Sequence, residues 1–380
     1  MDMRWRLLSP SDERSVIRKG TCVFIVDAHE DIAYNALHND RDVRRSVRRT
    51  RQLESARASS NCCLVKGMDE TAMVGLPEHR SGGTGLVFAT VFCEPDEPDV
   101  MRQDGLAQLA YYSELAESAS GVRIVTTVSE LDALIVEWHA APAAEQRPIG
   151  FVLLMEGADP IRDPSELELW VNRGLRIVGP TWRGSRYAGG TGQPGPLTPP
   201  GRDLLREMER LGVILDTSHL AEEAFWQSVD TFAGTAIASH SNARAIVNSD
   251  RHLTDDMIRA LADRDGVIGT VLCNQFLVEG WEPDGVPVSI EAVVRQIDHV
   301  CQLVGSARHV GIGSDFDGGF GVESTPDELD SVADISVIGT ALARHGYSNE
   351  DIASIMGLNW VRVLRRSLPA SAHIFQAFSA

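Results

Sequence analysis

The sequence predicts an α/β protein, a (β/α)8 TIM barrel of the metal-dependent hydrolase type. Three observations lead there. Eight short apolar runs alternate with helical patterns along most of the chain. The runs are rich in Val, Ile and Leu with little polar alternation, as in parallel strands buried on both faces. Five of the runs end on His, Asp or Glu. A closed barrel gathers distant strand ends at one face, whereas an open sheet draws ligands to a switch point between few strands.

In chain order the runs fall at residues 23–28, 84–92, 149–155, 175–179, 213–218, 235–239, 266–272 and 309–314, with a weaker one at 123–127. Between them, Asp163-Pro164 supplies an N-cap and a first-turn proline, and Gly174 supplies a stop. Leu204, Leu205, Met208 and Leu211 share one face of a helix over 201–211. Thr254 caps another, which runs to about Ala262, and a longer one covers 289–304. Helices over 326–344 and 349–366 close the fold. Residues 1–380 therefore read as a single barrel domain, with an N-terminal extension of about residues 1–20 and closing C-terminal helices. The Gly/Pro-rich stretch 184–201 reads as a long loop after run four, placed to shape a pocket.

With 35 basic and 54 acidic residues the net charge is −19, which argues against a nucleic-acid partner. The basic run RRSVRRTR at 44–51 reads as a solvated helical face. No window of about 18 apolar residues exists to span a membrane, and the N-terminus lacks the pattern of a secretory signal. Cys22, Cys62, Cys63, Cys93, Cys273 and Cys301 form no CxxC and mostly lie in or beside apolar runs. They read as reduced thiols of a cytoplasmic protein.

The tips carry the chemistry. His29 and Asp31 follow VFIV as an HxD pair, and positions i and i+2 of a strand face the same side. His219 and His240 end successive strand–helix units, so they fall on adjacent barrel strands. Glu156 follows VLLM, where a buried carboxylate needs a strong partner. These are the ligand types zinc takes, and two ions sharing Glu156 would satisfy it. Asp315, at the end of GIGSD, is placed to act as general base and then pass its proton to a leaving nitrogen. Asp317 reads as structural, organising the Gly318-Gly319 backbone.

From about residue 23 to about 366 the chain resembles the membrane (renal) dipeptidase family of the amidohydrolase superfamily. The resemblance rests on DAHED, LLMEG, GPLTPPGRDLL, LGVILDTSHL, ASHSNAR, DRHLTDD and IGSDFDG, in the family's order. It implies a (β/α)8 hydrolase with two Zn2+ per chain: His29 and Asp31 on one, His219 and His240 on the other, and Glu156 bridging. It implies a metal-bridging hydroxide as nucleophile, Asp315 as proton shuttle, and Arg251 on the substrate carboxylate. The implied partner is a small-molecule dipeptide, including those with a C-terminal D-residue, and members are often homodimers. One position departs. Run four ends on Trp182, where mammalian members carry a substrate-contacting histidine. Trp182 can donate one hydrogen bond but neither titrates near neutral pH nor binds metal. Arg183 and Arg186 follow as alternative donors. This departure keeps a second reading open: a related enzyme acting on a lactone, an N-acyl amino acid or an amine to be removed.

Overall fold

The structure is a computed structural model describing residues 23–59, 70–283 and 285–371. The expected N-terminal extension, Cys22, Cys62 and Cys63 lie outside the described residues. Eight strands form the barrel: β1 (Ile25–Glu30), β2 (Thr84–Phe92), β3 (Ile149–Glu156), β4 (Leu175–Gly179), β5 (Ile214–Asp216), β6 (Ala236–Ile237), β7 (Ile268–Thr270) and β8 (Val310–Ile312). All pair in parallel, in the order β7-β8-β1-β2-β3-β4-β5-β6. A parallel bridge between Ala238 and Ile268 closes the seam, with the Gly269 N–H donating to the Ala238 carbonyl at 2.8 Å.

Several strands are shorter than their apolar runs, and β6 spans two residues. The weak run is a true strand, Val122–Ile124. It pairs with Ile149–Phe151, on the edge of β3 where Leu153–Glu156 goes on to pair with β4.

An inner cluster including Val26, Ala28, Leu86, Phe88, Val152, Leu154, Ile177 and Ile214 fills the barrel beneath the tips. Trp360, on the helix Asn359–Ser367, belongs to the same cluster and donates its indole N–H to the Ile312 carbonyl at 3.0 Å. Truncating so large a buried side chain to Ala costs about 3–5 kcal/mol. Gly311 is required there, since a Cβ would lie 2.3 Å from the Trp360 ring.

Helix starts follow their caps. The Thr254 hydroxyl accepts from the Met257 N–H at 3.2 Å and starts Asp255–Asp263. The helix expected over 201–211 begins earlier, at Pro199. The Thr198 hydroxyl accepts from the Gly201 N–H at 3.1 Å, and Pro199 and Pro200 fit the first turn. The helix expected over 326–344 is confined to Ser336–Arg344 after a tight turn at Val332–Ile335, because Ser331 and Asp334 form a capping box that starts the structure late. The stretch 184–201 is not simply a loop. Ala188–Gly190 and Gln193–Leu197 pair as an antiparallel hairpin.

Within the basic run, Val47 and Thr50 turn inward while Arg48 and Arg49 are exposed. Cys93, Cys273 and Cys301 are buried free thiols. Among the described residues no helix is long and apolar enough to cross a membrane.

Candidate active site

The barrel brings the predicted tips together on one rim. His29 lies in β1 and Asp31 just after it, and Glu156 is the last residue of β3. His219, His240 and Asp315 each stand three residues past β5, β6 and β8. Glu30 Oε2 lies 3.0 Å from Nε2 of His79 on the helix Leu76–Gly82, and both side chains are fully buried. His219 and Asp315 hold left-handed backbone, φ 65° and 64°, as does Asp317 at 60°. Non-glycine residues adopt this region at a cost, and the turn it makes aims the side chain across the rim.

Three donor atoms converge in a triangle. His219 Nε2 and His240 Nε2 lie 3.0 Å apart, and Glu156 Oε1 lies 3.0 Å from the first and 3.2 Å from the second. Donors around a tetrahedral zinc ion stand about 3.3 Å apart. The other oxygen, Glu156 Oε2, faces His29 Nε2 at 3.4 Å. Ligating atoms of His29, Asp31 and Glu156 all fall within 4.8 Å of one another, and so do those of His29, His240 and Asp315. His29 Nε2 is buried without a hydrogen-bond partner. The donor set therefore fits two cations flanking one carboxylate.

A layer behind the tips sets the imidazole tautomers. Ser239 Oγ donates to Asp216 Oδ2 at 2.5 Å, a carboxylate that can only accept. The ring atoms His240 Nδ1, at 2.8 Å, and His29 Nδ1, at 3.4 Å, must then donate to the same Ser239 oxygen. Both Nε2 atoms consequently face the centre, the orientation a metal needs. Thr191 of the hairpin turn reaches His219 Nδ1 at 3.0 Å, and the Thr90 hydroxyl bonds Asp31. Sequence reasoning passed over Asp216 and Ser239. The signal was present in DTSHL and ASHSN, where Asp216 ends its apolar run three residues before His219 and Ser239 directly precedes His240.

The electrostatics call for added positive charge. Burial pushes the Asp315 carboxyl well above its usual range, and the nearby Glu156 and Asp31 charges add to that. Burial and Glu156 likewise raise Asp31 to about 6. Burial opposes charge on His29, but Glu156, Asp31 and Asp315 outweigh it and push that imidazole up to about 10. His219 is pushed down to about 4 by burial and by Arg251, and His240 falls well below its usual value through burial, His29 and Arg251.

The rim opens into a cavity of roughly 680 Å³. Arg251 lines it, buried and held by the His240 carbonyl at 2.8 Å and Ser241 Oγ at 3.3 Å, with its guanidinium 5.5 Å from the Phe276 ring centre. Trp182 also lines it, edge-on to Phe92 at 5.1 Å. Arg183 lies over the Trp182 ring at 4.9 Å and lines the cavity too. Arg186 does not line it; it is tied to Asp159 at 3.2 Å and to the Arg162 carbonyl. Asp317 is structural, but its partners differ from those expected: it accepts from the Met73 and Val74 N–H groups at 2.8 and 3.1 Å and faces Arg41 at 3.6 Å. The basic run at 44–51 does not line the cavity.

Comparison with known proteins agrees with this architecture. The membrane dipeptidase family, peptidase family M19, matches residues 17–374. A Klebsiella pneumoniae protein, described as an uncharacterized protein in the pqqA 5' region, is 32% identical over 284 residues, covering 71% of this chain and 97% of that one. The crystal structure of dipeptidase AC, a metallopeptidase of family M19, superposes with a TM-score of 0.75 at 26% identity, over 92% of this chain and 100% of that one. A Rhodobacter sphaeroides metallopeptidase, solved with a phosphinate mimic of the dipeptide L-Ala-D-Ala, superposes with a TM-score of 0.74 at 25% identity, over 91% of this chain and 100% of that one. The barrel, the rim and a match running nearly the length of the chain agree: this protein belongs to the membrane dipeptidase family, M19.

Proposed function

We propose that the chain is a dipeptidase using two zinc ions, one held by His29 and Asp31, the other by His219 and His240, with Glu156 between them. The observation that carries this reading is the two-sided Glu156 carboxylate, with Oε1 in the His219–His240 triangle and Oε2 toward His29. Zinc held there supplies Lewis acidity toward an amide carbonyl and acidifies water near neutral pH.

The cavity carries charges of both signs, which suits a zwitterionic dipeptide. Asp31, Glu94 and Asp315 come from β1, β2 and β8 and the turns after them, while Arg183 and Arg251 follow β4 and β6. Arg251 receives the terminal carboxylate, and Glu94, which lines the cavity outside the proposed metal ligands, receives the ammonium group. Trp182 forms a wall and offers its indole N–H beside the scissile carbonyl. Asp315 accepts a proton from the attacking water and delivers it to the amine nitrogen as the C–N bond breaks and the new C–O bond forms. The mimic bound by the Rhodobacter sphaeroides neighbour supports accepting a D-residue on the C-terminal side. Buried free thiols at Cys93, Cys273 and Cys301 suit the reducing cytoplasm.

The test is a dipeptide library assayed with added zinc, alongside elemental analysis. Two metals per chain and cleavage of L,L or L,D dipeptides are expected. Failure to cleave any dipeptide, with lactones or N-acyl amino acids hydrolysed instead, would replace this reading with the second one. That alternative draws on Trp182, whose ring occupies the cavity wall where a titrating side chain would serve a dipeptide.

A further inference from the structure

Two arginines line the cavity, and a dipeptide has one terminal carboxylate for them. Arg251 is buried and its guanidinium is already oriented by the His240 carbonyl and Ser241. Arg183 is different. It is exposed, and among the described residues it has no carboxylate or carbonyl partner. Its planar group instead rests on Trp182, with the guanidinium carbon 4.9 Å from the ring centre. The ring is itself braced edge-on by Phe92. A guanidinium stacked on an aromatic face keeps its N–H fork free at the edges, shaped to receive a carboxylate. Arg183 and Arg251 follow strands β4 and β6, on either side of the β5 turn that carries His219. Both therefore stand on the side of the cavity where the carboxyl end of a dipeptide lies.

We infer that Arg183, mounted on Trp182, is a specificity residue that receives an anionic side chain on the C-terminal residue of the substrate. The favoured substrates are then dipeptides ending in aspartate or glutamate. On this inference Trp182 at the end of run four serves as the platform for a second carboxylate site. The inference rests on the dipeptidase reading.

The zinc-loaded enzyme is assayed with Ala-Asp, Ala-Glu, Ala-Ala and Ala-Lys, and the readout is the ratio of kcat/KM values. The wild type is expected to favour Ala-Asp or Ala-Glu over Ala-Ala by about tenfold and over Ala-Lys by more, the value of one charge-assisted hydrogen bond. High salt should shrink the ratio, since the site is open to solvent. Arg183→Ala should abolish the preference, Arg183→Glu should turn it toward Ala-Lys, and Trp182→Leu should weaken it. A wild type that cleaves Ala-Ala as well as Ala-Asp and Ala-Glu overturns the inference without touching the dipeptidase reading, and needs no variant to fold. A preference unchanged in Arg183→Ala overturns it as well. Cleavage of none of the four, nor of other dipeptides, refutes the dipeptidase reading itself.

Discussion

Replacing Ser239 with alanine tests how the rim is held together. Ser239 is fully buried, and its hydroxyl links Asp216 to both His240 and His29. Ser239→Ala leaves Asp216 Oδ2 without its donor and the His240 Nδ1–H without its acceptor. Each orphaned buried group costs about 1–3 kcal/mol, so the protein should lose roughly 2–6 kcal/mol. At the usual unfolding entropy per residue, a 380-residue chain then melts about 3–8 °C lower. Releasing the supports of metal-binding histidines weakens metal binding by about 10–100-fold. The assay is zinc titration against a competing chromophoric chelator, with melting followed in parallel. Ser218→Ala is the control. Ser218 donates to Asp216 Oδ1 at 2.8 Å but bonds neither imidazole ring, so it should lose stability and keep its zinc affinity. Equal weakening of zinc in both variants, or none in Ser239→Ala, would refute the assignment of the tautomers to Ser239.

Asp315→Asn should retain both metals and lose about 10²–10⁴ in kcat, the range for general acid–base catalysis; unchanged turnover would remove it from the proton path. Arg251→Ala should raise KM at least tenfold for dipeptides with a free carboxylate, and an equal effect on carboxyl-amidated substrates would exclude its role as an anchor. His252 gives a pH test. It is buried, and burial, Arg251 and Arg244 hold its pKa down to about 3. Below about 6.5 the unfolded chain takes up a proton that the folded chain cannot, so stability falls with pH until about 3. The wild type should therefore lose up to about 1.4 kcal/mol per pH unit relative to His252→Leu over that window. Parallel urea-unfolding midpoints at pH 7, 6 and 5 would contradict this.

The rim was legible in the sequence because a charged or imidazole side chain at the end of a Val/Ile/Leu run has no cheap structural explanation. His29, Asp31, Glu156, His219, His240 and Asp315 stood out on that ground, and the barrel follows from gathering their strands. Long-range partners were not legible. Asp317 reads locally as a turn residue, yet its carboxylate latches the backbone at Met73 and Val74, 244 and 243 residues away. Thr191 sits in a glycine-rich stretch that gives no local sign of a hairpin, and only pairing across Gln193–Leu197 brings it to His219. The closing helix starts later than 326 because the capping box of Ser331 and Asp334, a local side-chain contact, sets where the structure begins. Arg183 and Arg186 look alike in sequence; tertiary partners send one onto Trp182 in the cavity and the other to Asp159.

The left-handed residues on the rim carry a consequence for anyone engineering this protein. His219, Asp315 and Asp317 are three of the five non-glycine residues with positive φ among the described residues. Glycine at such positions relieves roughly 1 kcal/mol of backbone cost apiece. A thermostabilisation scheme guided by backbone ideality would therefore choose glycine at all three. At His219 and Asp315 it would trade the side chains proposed as metal ligand and proton carrier for heat tolerance, and at Asp317 it would also release the segment at Met73 and Val74. Libraries aimed at a sturdier enzyme should hold these three positions fixed and look for their gains elsewhere, for instance among the exposed arginines of the helix Val47–Ser59.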